Sequence, residues 1–155
     1  MARGKKIKIR NLEPDTKYKS KVVAKLINMV MMSGKKSVAK SIVYGMLDEL
    51  NEDQKESRRI FEEAIKNIMP EFEVRSRRVG GANYQIPMPL KHPRAEALAL
   101  RWLIDASRSA KGVPMHKKLL NEIRLASKNE GNSIKKKLDT HRMAEANKAF
   151  AHFAW

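Results

Sequence analysis

The sequence predicts a mainly α-helical fold, a bundle of six helices with one protruding two-stranded β-hairpin between the third and fourth helices. Two patterns lead to this prediction. Apolar residues recur with the helical period of about 3.6 over most of the chain. Between residues 72 and 89 they alternate instead, on both sides of a Gly80-Gly81 pair that tolerates the positive φ of a tight turn. We expect one domain, residues 1–155, because this length suits a single hydrophobic core.

The first three helices are delimited by capping and breaking residues. Ser20 is a suitable N-cap for a first helix that ends at Gly34. Ser37 can start the second helix. The third carries an apolar stripe from Ile60 onward and is closed by Pro70.

The last three helices follow the hairpin. Pro93 suits the first turn of the fourth helix, and residues 112–114, Gly-Val-Pro, break the chain after it. A fifth helix is expected to run to about Asn129, and Ser133 can cap a sixth that begins at Ile134. The chain then ends in aromatic residues that either clip the tail onto the body or dock on a partner.

Charge separates the chain into basic and acidic parts. Lys plus Arg number 33 against 17 Asp plus Glu, a formal net charge of +16, which favours a polyanionic partner. Nucleic acid is the first candidate and an anionic membrane surface the second, although no apolar run is long enough to span a bilayer. Residues 1–40 hold 12 basic and 2 acidic side chains (+10), whereas residues 41–72 hold 4 and 8 (−4). We expect the acidic part to face away from the polyanion.

Three basic regions are candidates for contact with such a partner. Residues 1–19 form a basic N-terminal arm with too few large apolar side chains to order itself, so it is expected to become ordered along phosphates or to be merely a disordered tail. Residues 72–89 form the hairpin arm, in which Arg75 and Arg77 lie on one face and Arg78 on the other. The fourth-helix region adds Arg94, Arg101, Arg108 and Lys111.

The sequence carries no signature of catalysis, of a metal or of a cofactor. Cysteine is absent, the four histidines show no i, i+4 pairing, and no Gly-x-Ser-x-Gly elbow occurs. The residues around Gly34-Lys35-Lys36-Ser37 lack the first glycine of a phosphate-binding loop, since Met29 stands at that position. Lys35 and Lys36 are therefore interpreted as a basic turn that touches backbone phosphate.

Several long motifs resemble a known family. They are Ser-Arg-Arg-Val-Gly-Gly at residues 76–81 followed by Tyr-Gln-Ile-Pro at 84–87, Ser-Gly-Lys-Lys-Ser at 33–37, and His-Arg-Met-Ala-Glu-Ala-Asn-Lys-Ala-Phe-Ala-His at 141–152. The chain resembles bacterial-type small-subunit ribosomal protein seven over essentially its full length. The resemblance implies a primary binder of the 3′ major (head) domain of small-subunit ribosomal RNA that nucleates head assembly. It also implies a place beside the exit-site tRNA and mRNA, with small-subunit proteins eleven and nine as neighbours.

The resemblance also suggests which residues contact RNA. Carried over residue by residue, the ribosomal RNA contacts fall on the N-terminal arm, the basic turn between the first two helices and the hairpin. These residues are Arg3, Lys5, Lys6, Lys8, Arg10, Lys35, Lys36, Arg75, Arg77 and Arg78. The hairpin tip, expected next to tRNA and mRNA, comprises Arg78, Gly80, Gly81, Asn83 and Tyr84. The expected location is the ribosome, in the cytoplasm or in an organelle matrix or stroma.

Two other functions remain open from the residues alone. A helical body with a basic, proline-bearing β-arm also fits a DNA-bending architectural protein. An RNA-modifying enzyme is the third class, but it would need a cofactor or an activated nucleophile. Tyr84 is expected either to stack on a base or to pack internally.

Overall fold

The computed structural model describes residues 11–153 and confirms a mainly α-helical fold with one hairpin between the third and fourth helices. The strands are β1 (Phe72–Val79) and β2 (Ala82–Pro89), and a short 3₁₀ helix, Lys148–Phe153, follows the last α-helix. The six α-helices are α1 (Lys21–Val30), α2 (Lys36–Leu50), α3 (Gln54–Ile68), α4 (His92–Ser109), α5 (Met115–Ser127) and α6 (Asn132–Ala146). Over this described part of the chain, none of the helices has the length and apolar character needed to cross a membrane.

The core is formed by the apolar stripes that the helical period predicts. Among its largest fully buried side chains are Leu26, Leu47, Phe61, Leu103 and Leu119, one from each of helices α1 to α5. Burying one such side chain stabilises the fold by roughly 1.5–3 kcal/mol. The helices therefore form a rigid body on which the exposed basic groups are carried.

Helix α1 ends earlier than predicted. Its last residue is Val30, and the expected end, Gly34, lies in the following turn with a φ of +73°. Ser33 has a positive φ as well (+52°), so the chain leaves the helical conformation before the glycine. Ser20 occupies the N-cap position, as predicted, but its hydroxyl donates to a carboxylate oxygen of Glu62 at 2.9 Å.

The predicted serine starts of α2 and α6 are wrong by one or two residues. Helix α2 begins at Lys36, and α6 begins at Asn132 after Gly131. The backbone N–H and the hydroxyl of Ser133 both donate to the same carboxylate oxygen of buried Glu122, each at 2.7 Å. A carboxylate from α5 therefore accepts a hydrogen bond from a backbone N–H in the first turn of α6 that has no partner within its own helix. No local sequence pattern could identify this carboxylate.

The segment before α1 is not a free arm throughout. Tyr18 is only 5% exposed and Asp15 only 7% exposed, so the prediction that residues 1–19 cannot order themselves is wrong for the end of that segment. The predicted contacts in the first ten residues lie outside the described residues, as does the terminal tryptophan. These first-ten contacts are Arg3, Lys5, Lys6, Lys8 and Arg10.

The hairpin stands on the C-terminal part of the chain. Helix α6 packs against β1, and the 3₁₀ helix packs against β2. At the hairpin base the ring of Phe72 meets the ring of His141 edge to face, with centroids 6.3 Å apart. The N–H of Glu71 donates to Nε2 of His141 at 3.1 Å. A lone two-stranded ribbon is marginal in water, and these contacts supply its support.

Candidate nucleic-acid interface

The hairpin tip is an open two-residue turn. The register pairs Val79 with Ala82, which leaves Gly80 and Gly81 as the turn, with φ of +57° and +89°. Two successive positive φ values define the mirror-image turn that matches strand twist, and glycine adopts it without steric cost. Both glycines are exposed, and so is Asn83. The tip thus has room for a close approach by a partner.

The strand register fixes the directions of the hairpin arginines. Arg75 lies opposite Ile86, Arg77 opposite Tyr84 and Arg78 opposite Asn83. Directly paired residues of antiparallel strands point to the same side of the ribbon, and successive residues alternate. Arg75 and Arg77 therefore share one face and Arg78 lies on the other, as the alternation predicts.

A buried carboxylate at the hairpin base joins two of the predicted contact residues. Glu73 is only 8% exposed. One of its oxygens accepts a hydrogen bond from Arg75, and the other accepts from Nε of Arg94 at 3.1 Å and pairs with Nη2 of Arg94 at 3.0 Å. Because Arg94 belongs to α4, this carboxylate ties the hairpin to the helical body and places two guanidinium groups side by side.

Helix α4 exposes a narrow basic strip. Eight of its residues are buried, on almost every side of the helix. Arg94, Arg101 and Arg108 are exposed, and their seven-residue spacing brings them back to one face with a drift of about 20° each time. At about 1.5 Å per residue the strip is roughly 21 Å long. Asp105 is exposed on the same face, and Lys111 is exposed just beyond the helix end.

The turn between α1 and α2 carries two of the predicted RNA contacts. Lys35 and Lys36 are exposed there, next to exposed Met32 and Val38. The N–H of Lys35 donates to the carbonyl of Met32 at 3.0 Å, and that of Lys36 to the carbonyl of Gly34 at 2.8 Å, so the turn is internally bonded. The positive end of the α2 macrodipole adds to the two lysine charges. The turn thus presents a positively charged surface.

Tyr84 packs internally rather than standing free. Its ring contacts the ring of Phe150 in the 3₁₀ helix, with centroids 4.9 Å apart. The C-terminal segment therefore clips onto the hairpin through Phe150, a residue that the sequence reasoning had not singled out. Gln85, its neighbour in β2, is exposed.

Glu73 is the main residue that the sequence reasoning missed. It appeared only as one member of the alternating pattern, because an acidic residue in a basic arm has no obvious role in binding a polyanion. Its proximity to the arginines of its own strand was a usable signal, but its partner on α4 was not visible in the sequence. Within residues 11–153, no group of three or more histidine, aspartate or glutamate side chains could hold a metal ion.

A rigid helical body with an arginine-bearing hairpin, an arginine strip and a lysine turn defines a nucleic-acid-binding protein. Comparison with known proteins identifies a family within this class. Residues 2–148 match the family model described as ribosomal protein S7p/S5e. The chain is 54% identical over 147 residues to small ribosomal subunit protein uS7 of Pelotomaculum thermopropionicum, covering 94% of each chain.

Other relatives cover 99% or more of the chain. Small ribosomal subunit protein uS7 of Thermotoga petrophila is 51% identical over 154 residues, 99% of each chain, and that of Aliivibrio salmonicida is 49% identical over 156 residues, 100% of each. The chain belongs to the ribosomal protein S7p/S5e family. It is accordingly a structural, non-enzymatic constituent of the small ribosomal subunit, which removes the RNA-modifying enzyme from consideration.

Proposed function

We propose that this protein is a primary binder of the 3′ major (head) domain of small-subunit ribosomal RNA and nucleates assembly of the head. The observation that carries the proposal is the guanidinium pair that Glu73 holds at the hairpin base, in line with the exposed strip of α4. Guanidinium groups bind phosphate bidentately, and those of Arg75 and Arg94 remain about half exposed beside Glu73. The lysine turn and the basic N-terminal stretch supply further charge, and residues 41–72 face away from the RNA.

The charge of the hairpin can be tested through salt dependence. Replacing Arg75, Arg77 and Arg78 together by glutamine should weaken binding to a transcript of the 3′ major domain. It should also flatten the log–log salt slope by up to about 2 units, at roughly 0.7–0.9 per lost phosphate contact. Circular dichroism and thermal unfolding check that the fold is kept. An unchanged slope would place the hairpin off the RNA.

A matched control removes the same charge from the acidic part of the chain. Lys55, Arg59 and Lys66 are exposed on α3, and replacing all three by glutamine lowers the net charge by the same amount. This variant should keep most of the affinity and the salt slope. Equal losses in both triple variants would mean that overall charge, rather than the hairpin, drives binding. Equal affinity of the wild type for duplex DNA at matched salt would mean that binding does not select folded RNA.

We further propose that the hairpin tip lies beside the exit-site tRNA and mRNA and that small-subunit proteins eleven and nine are neighbours. The open Gly80-Gly81 turn supports the first part, because the space beside both glycines is free of other protein atoms within 4 Å. The chain lacks cysteine, so Asn83→Cys introduces a single attachment site for a photo-crosslinker. Crosslinks to tRNA, mRNA or these proteins should form from Asn83→Cys in assembled subunits and be absent from Glu63→Cys on α3. The same crosslinks from both positions would refute this placement.

A further inference from the structure

The described chain begins with a segment that is fixed to helix α2 by a buried carboxylate. One oxygen of Asp15 accepts the backbone N–H groups of Lys17 at 3.0 Å and Tyr18 at 3.2 Å. The other oxygen accepts the hydroxyl of Tyr44 in α2 at 2.7 Å. Asp15 therefore makes three hydrogen bonds while only 7% exposed, the satisfaction that a buried charge requires.

A second carboxylate completes the attachment. The hydroxyl of Tyr18 donates to Asp48 of α2 at 2.6 Å, and Nζ of Lys17 lies 2.7 Å from both oxygens of that carboxylate. Nζ of Lys17 also lies 5.4 Å from the ring centroids of Tyr18 and Tyr44. We call Asp15, Lys17, Tyr18, Tyr44 and Asp48 the anchor.

The anchor fixes the described residues that follow the basic N-terminal stretch. Residues 12–16 line a cleft of about 340 Å³ together with Lys36 and Lys40 of α2. Lys36 belongs to the basic turn. The sequence places five basic residues within the ten that precede Asn11. Residues 12–16 thus lie next to the lysine turn, and the basic stretch precedes them in the sequence.

We propose that Asp15 is a positioning residue for RNA binding, which through the anchor fixes the attachment point of the basic stretch beside the Lys35–Lys36 turn so that both contact the same region of ribosomal RNA. This inference rests on the proposed RNA-binding function. A stretch that starts from a fixed point samples fewer unproductive positions, and the apparent affinity rises with the fraction of molecules that are competent to bind. Asp15 is needed for tight binding although its negative charge repels phosphate.

The direction in which the RNA affinity changes on substitution tests the proposal. Asp15→Ala and Glu13→Ala each remove one negative charge, two residues apart, but Glu13 is exposed and Asp15 holds the anchor. On a transcript of the 3′ major domain, Asp15→Ala should weaken binding by about three- to tenfold because fewer molecules are competent. Glu13→Ala should leave the affinity unchanged or raise it by up to about twofold, as expected for the loss of one exposed repulsive charge. Tyr44→Phe, which changes no charge, should weaken binding in the same direction as Asp15→Ala.

A double-mutant cycle separates positioning from general loss of stability. In a full-length background with Lys5, Lys6, Lys8 and Arg10 replaced by glutamine, Asp15→Ala should no longer weaken binding, because the stretch it positions carries little charge. The same fold loss in both backgrounds would overturn the proposal, as would Asp15→Ala binding as tightly as the wild type. A wild-type protein that fails to bind the transcript would refute the proposed function itself, a result distinguishable from failure of the anchor alone.

Discussion

The hairpin base and the N-terminal anchor both hold basic segments with a buried carboxylate, but the carboxylates have different partners. Glu73 is bonded to the arginines Arg75 and Arg94, which are themselves predicted RNA contacts. Asp15 is bonded to backbone N–H groups and to the hydroxyl of Tyr44. A phosphate that approaches the hairpin base must compete with Glu73, whereas a phosphate near the anchor does not compete with Asp15.

Two acidic residues in basic surroundings are therefore expected to act on affinity with opposite sign. At the hairpin base, the carboxylate aligns the guanidinium groups and also neutralises part of their charge. At the anchor, the carboxylate acts on the main chain and leaves the basic side chains of the preceding stretch unaffected. Substitutions that remove one negative charge at each place therefore separate the two roles.

The largest effect is expected for Glu73→Gln. The amide keeps the size of the side chain but pairs poorly with two guanidinium groups, so the free energy of unfolding should fall by about 1–2 kcal/mol, given that both arginines are half exposed. Affinity for the RNA should stay the same or rise, and the salt slope should steepen by up to about 1–2 units, as Arg75 and Arg94 become fully available to phosphate. Urea unfolding and a salt titration measure the two effects.

The alternative outcome for Glu73→Gln is equally informative. A loss of affinity with an unchanged salt slope would mean that Glu73 acts as Asp15 does, by positioning, and the contrast between the two regions would be lost. Glu71→Gln is a suitable control, because Glu71 is exposed at the same end of the hairpin and its substitution removes an equal charge.

A smaller effect is expected from Tyr18→Phe in the anchor. This substitution removes the hydrogen bond to Asp48 without changing charge, at a cost of about 1 kcal/mol. For a domain of this size that corresponds to a fall in melting temperature of about 2–4 °C. Combining it with Asp48→Asn should show coupling of at least about 0.5 kcal/mol between the two side chains. Strict additivity would mean that the 2.6 Å contact contributes nothing to stability.

How much the sequence could predict also differs between the two regions. The hairpin, its Gly80-Gly81 turn and the opposite faces of Arg75 and Arg78 all follow from alternation and turn chemistry, which are local. The bonds that position these groups link residues far apart in sequence. Glu73 and Arg94 are 21 positions apart, and Asp15 and Tyr44 are 29 apart. No periodicity reports such pairs, so the N-terminal segment was predicted to be loose up to residue 19.

Helix ends show the same limit on a smaller scale. The apolar stripes predicted all six helices, but α6 begins at Asn132 because Glu122 of another helix binds the N–H of Ser133. The clip between Phe150 and Tyr84 likewise joins the chain end to the hairpin across 66 positions. Local patterns determine which elements form, and long-range polar and aromatic contacts determine how the basic surfaces are held.

The smallest effect on stability is expected at acidic pH. Burial alone would raise the pKa of Asp15, but hydrogen bonds from Tyr44 and from the backbone of Tyr18 and Lys17, with the nearby charge of Lys40, hold this pKa below its ordinary value. For Asp48, burial again opposes the hydrogen bonds from Lys17 and Tyr18, and its pKa is also lowered. A carboxyl group with a lowered folded-state pKa stabilises the fold above its unfolded pKa of about 3.9, and that contribution is lost as the pH falls through the folded value.

The anchor should therefore weaken below about pH 4. Urea unfolding at several pH values between about 5 and 3 should give a flatter dependence of the unfolding free energy for Asp15→Ala than for the wild type, since one carboxyl group with a lowered pKa is missing. Parallel curves for Asp15→Ala and the wild type would mean that the charged form of Asp15 is not what holds the segment. The anchor would then be held by the packing of its tyrosines alone, whereas the hairpin base is held by ion pairs.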